Sequence, residues 1–590
     1  MSLRVWLPLN GDLTNNGLSD VTVTNNNAAV DTAGKIGSCY SFGTASSYLT
    51  MPSTTMTSLT DECTLSFWLY IISWNTAYAT FFQAGTGSNP WNNYVFGVLR
   101  NSQTSKLCFT ITNKDNTSSS ASYLTSDLST STWYHLTFVY KTGHCLIYIN
   151  GVLYKDYTTT IVPKFSDISK ITIGTCNNIS SYQTNCKLND IRIYDHALSP
   201  KEVKLISQGL VAHYQLNSLN GQENLFTWQN KGDSVITLGN YSSVGSFTQF
   251  SNSLTFDPST TVGQKYTISF WARSPNGKTD LRIYNQNGSP RYFKFTSVTL
   301  TTDLNTEWQY FTHTVTNSDA GSGDTTDAKC RRIEIYAPSK MGVQVKKIKV
   351  ENGEIATIWS PAPSDSHYSD LGYDDTTVYD TSGYGYTGVN YSAASSTDSP
   401  RCLTSTEFDG STKYIEFPNL SFMPNMLPNE WTFSFWVYNQ DSGGRSILFS
   451  DYAIDITGSA FCFEKTTDEL LRIGYSGSFD RTVPDSTLTV NAWTHIAVTK
   501  TTANLITVYR NGVQIDSYTN ANCKSDGVKY RMGRDSRTGS TMFKGKLSDF
   551  RIYTTALSAD DVKTLYNAPV SITNKGAMTT QGEFNEHTNI

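Results

Sequence analysis

Apolar and polar residues alternate with a period of two along most of the chain, which predicts strands rather than helices. Two strand-length runs, CTLSFWLYI (63–71) and WTFSFWVYN (431–439), are apolar at successive positions. There Phe67 and Phe435 fall on one face and Trp68 and Trp436 on the other. Both faces are apolar, which places these strands inside a two-layer sandwich rather than at a solvated edge. Further alternating runs follow, STWYHLTFVYKTGHCLIYINGVLYKDY (131–157) and NAWTHIAVTKTTANLITVYRNGVQIDSY (491–518). Asn150-Gly151 and Asn511-Gly512 predict hairpins, because a type I′ turn needs positive φ at both central residues.

The pattern occurs twice. DIRIYDHALSPKEVKLIS (190–207) and DFRIYTTALSADDVKTLY (549–566) share a constant offset of 359 residues, as Asp190 and Asp549 show. Each predicts a strand, a turn and a short helix. Ser199 and Ser558 sit at the N-cap, and Glu202 and Asp561 follow at the spacing of a capping box. Pro200 takes the first helical position, where a missing N–H is harmless. Leu198 with Val203, and Leu557 with Val562, have the spacing of hydrophobic staples. Two related domains follow from a copy this complete.

Taken together, the SFW strand, the W-x-H strand, the Asn-Gly hairpin and the RIY-x-x-ALS segment resemble the laminin G-type, concanavalin A-like lectin/glucanase jelly roll. The resemblance implies an all-β fold of two packed antiparallel sheets, about 200 residues per domain. GLVAHYQLN (209–217) parallels RVWLPLN (4–10) as a first strand, yet TTVYDTSGYGYTG (376–388), which normally follows closely, comes only after a long interval. The expected organisation is therefore a first jelly roll over 1–208, and a second over 209–217 plus 366–569. An inserted β-sandwich would occupy 218–365 and a C-terminal arm 570–590. The insert has its own strand signals, YTISFWARS (266–274), TEWQYFTHTVT (306–316) and VQVKKIKVENG (343–353), and resembles galactose-binding or carbohydrate-binding-module sandwiches. Its tail, KIKVENGEIATIWSPAPSD (347–365), resembles a segment that closes such modules in bacteriophage tail and fibre proteins.

Composition narrows the function. Charged residues are only 16% of the chain, and no Lys/Arg cluster accompanies the net charge of −5, which argues against nucleic acid. There is no apolar run long enough to span a membrane, and the N-terminus MSLRVWLPL has no signal-peptide pattern. Ten scattered Cys without a CxxC read as reduced, mostly buried thiols in a protein made in a host cytoplasm. Zinc is not indicated, and no heptad run points to a coiled coil.

The E-x-D-x-x-E strand of glucanases on this fold is absent, as is the sialidase S-x-D-x-G-x-T-W box. Glycoside hydrolysis needs two placed carboxylates, so the chain reads as non-enzymatic. His135, His495 and His313 read as structural, and Asp190 and Asp549 as strand-end hydrogen-bonding residues. The Asp-rich GYDDTTVYD (372–380) offers oxygens for calcium, but solvated turn acids are the simpler reading, so no cofactor is assigned. What remains is binding. Trp91, Asn92, Asn93 and Tyr94 in one loop, and Tyr284, Asn285, Asn287 and Tyr292 in the insert, combine aromatic faces with amides suited to sugars. The alternative is that Trp91 packs under its own loop.

These features lead to a non-catalytic bacteriophage virion protein: a tail-fibre, receptor-binding or capsid-fibre component, homo-oligomeric, contacting host-surface glycans and other virion subunits. A purely structural decoration protein is the alternative, and a polysaccharide depolymerase the second.

Overall fold

In the computed structural model, the residues described are 3–17, 19, 21–43, 46–57, 59, 62–74, 79–85, 94–101, 106–112, 119–124, 128–175, 184–214, 216, 236–237, 263, 265–284, 298–316, 334–337, 341–352, 377–378, 380, 382–396, 399–400, 405–418, 420–451, 461–475, 478–525, 529–535 and 541–567. The expected arm, 570–590, lies outside them.

The first unit is a jelly roll of two antiparallel sheets. One runs, edge to edge, through Val152–Thr158, His144–Ile149, Trp133–Lys141, Cys63–Ser73, Asn185–Tyr194, Cys39–Phe42 and Ala29–Asp31, with Leu3–Leu7 also pairing on Asn185–Tyr194. The other runs through Ser119–Tyr123, Lys106–Thr112, Tyr94–Asn101, Ala79–Gly85, Lys170–Ile173, Tyr48–Met51 and Thr24–Asn26. Phe67 and Phe138 from the first sheet meet Phe96 and Phe109 from the second in one core.

The same architecture recurs downstream. Trp431–Asn439 lies between Lys544–Tyr553 and Trp493–Lys500, and Leu210–Tyr214 pairs with the far end of Lys544–Tyr553. The facing sheet runs through Thr377–Val378, Gly388–Tyr391, Tyr414–Phe417, Tyr530–Met532, Ser446–Asp451, Phe461–Lys465, Leu471–Tyr475 and Ser478–Thr482. A cluster of Phe433, Phe435, Phe449, Phe463 and Phe550 fills this core. Between the two parts of this roll in sequence, strands from Ile236–Thr237 to Gln344–Asn352 form two smaller sheets around Ile268, Phe270 and Ile283.

Local chemistry explains the repeat. Both Asn-Gly turns have positive φ at both residues (Asn150 51°, Gly151 77°; Asn511 50°, Gly512 76°). Each Asn side chain also accepts from the backbone N–H of its histidine, at 2.8 Å for His135 and 2.9 Å for His495. The threonine ahead of SFW closes the RIY-to-ALS turn. Thr64 Oγ1 donates to His196 O at 2.8 Å and accepts from Leu198 N at 3.0 Å; Thr432 does the same with Thr555 O at 2.8 Å and Leu557 N at 2.9 Å. The helix Pro200–Ser207 carries the full capping box.

Asp190 and Asp549 are not at strand ends, as the sequence suggests. Each lies within its strand, at a register break and in left-handed conformation (φ 55° and 52°), which a short polar side chain tolerates. The break turns the carboxylate toward the arginine two residues on. Asp190 accepts from Arg192 Nε at 2.9 Å and Trp6 Nε1 at 2.6 Å. Asp549 accepts from Arg551 Nε at 2.7 Å and Nη2 at 3.0 Å, with His213 Nε2 at 2.8 Å where the first roll has Trp6. Burial would push the Asp549 carboxyl up, but Arg551 and His213 pull it well below the usual range.

Seven cysteines, Cys39, Cys63, Cys108, Cys145, Cys186, Cys462 and Cys523, are buried free thiols. Burial raises those of Cys39, Cys108, Cys145 and Cys186 to about 12, which makes them unreactive. Among the described residues no helix is long and apolar enough to cross a membrane.

Candidate functional site

The two sugar sites expected from sequence fall mostly outside the described residues. Trp91, Asn92 and Asn93 are not described, and Tyr94 is placed only as the start of Tyr94–Asn101, opposite Gly85. Tyr284 ends Thr279–Tyr284 opposite Glu334, while Asn285, Asn287 and Tyr292 lie outside.

Of the Asp-rich loop, Asp380 is described and is not a solvated turn acid. It is half-buried, and its carboxylate accepts from His213 N and Ser382 N, both at 2.9 Å, from Ser382 Oγ at 2.7 Å and from Tyr386 N at 3.2 Å. Chain donors fill the acceptor capacity that a cation would need. Among the described residues no cluster of three or more His, Cys, Asp or Glu is placed to hold a metal ion. His135 and His495 are buried against Trp68 and Trp436, ring centroids 5.0 and 5.1 Å apart. Burial, with Arg192 nearby, pushes His135 down to about 3 and keeps it neutral.

A different surface stands out on the second roll. In Tyr414–Phe417, Ile415 and Phe417 enter the core, so Tyr414 and Glu416 point to the outer face. Register places Tyr391 directly opposite Tyr414, and Arg531 opposite Glu416. The two tyrosine rings stack at 4.3 Å with 7° between their planes. Tyr391 is 41% exposed. The Arg534 guanidinium lies 4.7 Å from the Tyr414 ring centroid and that of Arg531 lies 5.3 Å from it.

Gly533 makes this placement possible. Its φ is 83°, and a Cβ there would stand 2.4 Å from the Phe408 ring, so the chain turns tightly on glycine and delivers Arg534 beside the stack.

The charges on this face are unequally paired. Arg531 donates to Glu416 Oε2 through Nε at 2.8 Å, and its Nη2 lies 2.7 Å from the same oxygen. Lys529 Nζ is 3.6 Å from Glu416 Oε1. Arg534 has no side-chain hydrogen bond or ion pair among the described residues, and its Nε is shielded from water without an acceptor. Further along the same sheet face, Glu464 takes Arg445 at 2.7 and 2.9 Å, with Arg472 Nη1 at 3.5 Å. Glu416 and Glu464 are thus held by the chain's own guanidinium groups. An exposed aromatic face with adjacent donors can stack on the C–H face of a ring and hydrogen-bond its substituents.

Sequence reasoning missed this surface. The alternation in KYIEF (413–417) orients Tyr414 and Glu416, but their partners sit on strands distant in sequence.

Comparison with known families agrees with the fold. The family described as the concanavalin A-like lectin/glucanases superfamily (Laminin_G_3) matches residues 42–204 and 409–563, together more than half of the chain. The chain belongs to this superfamily. No curated protein matches it. Among solved structures it is similar to domain 4 of an extracellular GH43 arabinanase from Geobacillus stearothermophilus in complex with arabinotriose (21% identity, 35% of this chain and 98% of that one, TM-score 0.28). It is also similar to the binding domain of Paraclostridial Mosquitocidal Protein 1 (15%, 40% and 58%, TM-score 0.29). A third is the receptor binding domain of botulinum neurotoxin C/D mosaic serotype (10%, 60% and 97%, TM-score 0.29).

Proposed function

We propose that the chain is a non-catalytic, lectin-like protein that binds surface glycans, with two jelly rolls, the second interrupted by the inserted sandwich at 218–365. The observation that carries this is the Tyr391–Tyr414 stack, exposed on a sheet face and flanked by guanidinium donors. The engaged Glu416 and Glu464 favour binding over hydrolysis, which needs an acid and a second carboxylate flanking the bond. The resemblance of 347–365 to phage tail and fibre proteins supports a place in a virion, as a tail-fibre, receptor-binding or capsid-fibre component. There, weak contacts would be multiplied by copy number, gaining about 10²–10⁴ in avidity.

The test is a glycan array probed with the full chain, with Tyr391→Ala and with Trp91→Ala/Tyr284→Ala. Binding that falls roughly tenfold or more with Tyr391→Ala assigns the site to the second roll. Loss confined to Trp91→Ala/Tyr284→Ala moves it to the loops expected from sequence. Silence across the array removes the lectin reading.

One observation favours structural decoration instead. The sheet-edge strands Val152–Thr158 and Val513–Thr519 expose Val152 and Val513, each at 65%, suited to packing on neighbouring subunits. Cross-linking of the assembled particle through cysteines placed at 152 and 513 would detect such neighbours.

A further inference from the structure

We infer that the Tyr391–Tyr414 surface takes an anionic oligosaccharide, one carrying carboxylates or sulfates, that lies along the row Tyr391, Tyr414, Arg534, with Arg534 as the anion-binding group at one end and Tyr391 as the stacking platform at the other. This rests on the glycan-binding reading of that surface and names the class of sugar.

The argument starts from charge pairing. Among the described residues, Arg531 and Lys529 share the carboxylate of Glu416, while Arg534 lies against the Tyr414 ring, in a chain whose net charge is −5. Glu416 is committed to Arg531 and Lys529. Asp535, next to Arg534, is buried and accepts from Thr541 Oγ1 at 3.3 Å. Arg534 therefore brings a positive charge that the described residues do not neutralise. It is held in place by the Tyr414 ring, so little conformational freedom is lost when its remaining donors meet an oxyanion. A guanidinium edge matches a carboxylate or sulfate better than a neutral hydroxyl, and such charge-assisted bonds are roughly twice as strong.

The other roll is the internal control. Aligning strand registers puts Asn26 where Tyr391 stands, Tyr48 at Tyr414, Thr50 at Glu416, Thr172 at Arg531 and Thr175 at Arg534. The glycine is kept, Gly174 with φ 89° at Gly533, and so is its close approach to a phenylalanine, Phe42 at 2.3 Å. The backbone turn that delivers residue 534 thus exists in both rolls, and Thr172 Oγ1 merely donates to Thr175 O at 2.8 Å in the first. The turn does not require an arginine, so the charge is an addition to the scaffold.

The experiment measures binding of the full chain to polygalacturonate, hyaluronan and chondroitin sulfate, each beside its carboxyl-reduced or desulfated counterpart. It uses wild type, Arg534→Gln, Arg534→Lys and Tyr391→Ala. The expected result is a preference of about tenfold to a hundredfold for at least one acidic form over its neutral counterpart. Arg534→Gln should abolish that preference, with the acidic form losing far more affinity than the neutral one, Arg534→Lys should keep part of it, and Tyr391→Ala should weaken both forms. Whether the carboxylated or the sulfated pair shows the preference identifies the anion. Equal binding of acidic and neutral forms, or a preference that survives Arg534→Gln, overturns the inference while leaving glycan binding intact. Absence of binding to every acidic and neutral form overturns both. Arg534→Gln is expected to unfold close to the wild-type temperature, since among the described residues the side chain loses only its contact with the Tyr414 ring.

Discussion

The two jelly rolls keep the same internal chemistry and differ in what they present outward. Thr64 and Thr432 and the Asn-Gly hairpins coincide bond for bond, and the left-handed aspartates and close-approach glycines coincide in backbone conformation. At matching register positions of the sheet that faces the SFW strand, however, one roll carries Asn26, Thr50 and the buried Thr172 and Thr175, and the other Tyr391, Glu416, Arg531 and Arg534. On the opposite sheet, Trp68 joins the core of the second roll, whereas Trp436 is covered from within its own roll by Tyr566, with ring centroids 5.6 Å apart. The residues that fix register and turns are kept between the rolls, and the side chains on this outer row differ.

The largest expected effect is on binding. Converting the second row toward the first with Tyr391→Asn and Arg534→Thr should reduce glycan affinity on the order of a hundredfold or more, the sum of a lost stacking face and a lost charge-assisted donor. Titration with the best array hit checks it. An unchanged affinity would mean that the difference between the two faces is not functional.

Next in size is the buried aspartate. Asp190→Asn keeps the shape and the left-handed backbone but leaves Arg192 without its counter-charge, at 6% side-chain exposure. A loss of about 3–5 kcal/mol follows. Asp549→Asn should cost less, about 2–3 kcal/mol, because Arg551 is 23% exposed and can recruit water. Urea unfolding of the two variants ranks them; the reverse order would show that His213 matters more than Trp6.

Acid sharpens the comparison further. Burial lowers the pKa of His135 to about 3, and lowers that of His213 with help from Arg551. Below the ordinary histidine value of about 6.5 the unfolded chain binds protons that the folded chain refuses. The His135 contribution is therefore full above that value and falls as pH drops toward 3, by up to about 1.4 kcal/mol per pH unit, and His213 adds to the fall in the same direction. Unfolding followed from pH 7 to pH 4 should show this slope, and His135→Gln should remove the part belonging to the first roll.

Much of this frame was legible in the sequence because it is local. The period of two set Phe67 and Phe435 inward and Trp68 and Trp436 outward, Asn-Gly marked the turns, and S-x-x-E marked the cap. The left-handed break at Asp190 and Asp549 was not legible, since it depends on a partner strand's register. Nor was the Tyr391–Tyr414 pair. A lone tyrosine in VNYS (389–392) gives no sign that it meets another across a strand gap. Asp380 misled for a related reason, since its donors His213 N and Tyr386 N are gathered only by the fold.

Tyr566 gives a smaller effect. Tyr566→Ala uncovers Trp436 and should cost about 1–1.5 kcal/mol, the worth of an aromatic pair. The matching residue of the first roll, Ser207, instead donates to Lys204 O at 2.7 Å, so Ser207→Ala should stay within about 0.5 kcal/mol. Thermal unfolding distinguishes the two.

The smallest effects lie at the helix caps, where the rolls touch. Glu202 N donates to Ser199 Oγ at 3.4 Å, and Asp561 N donates to Ser558 Oγ at 3.2 Å. Asp561 also takes Lys204 of the first roll at 3.3 Å. Ser199→Ala and Ser558→Ala should each cost about 1 kcal/mol. Lys204→Gln should cost less than about 0.5 kcal/mol, because the lysine is 43% exposed and its pair is screened. Since Ser558 and Lys204 both act on the Asp561 carboxylate, the double substitution should depart from additivity, whereas Ser199→Ala with Lys204→Gln should add. Simple additivity in both pairs would mean that the cap and the bridge between the rolls are independent, and that Asp561 does not couple them.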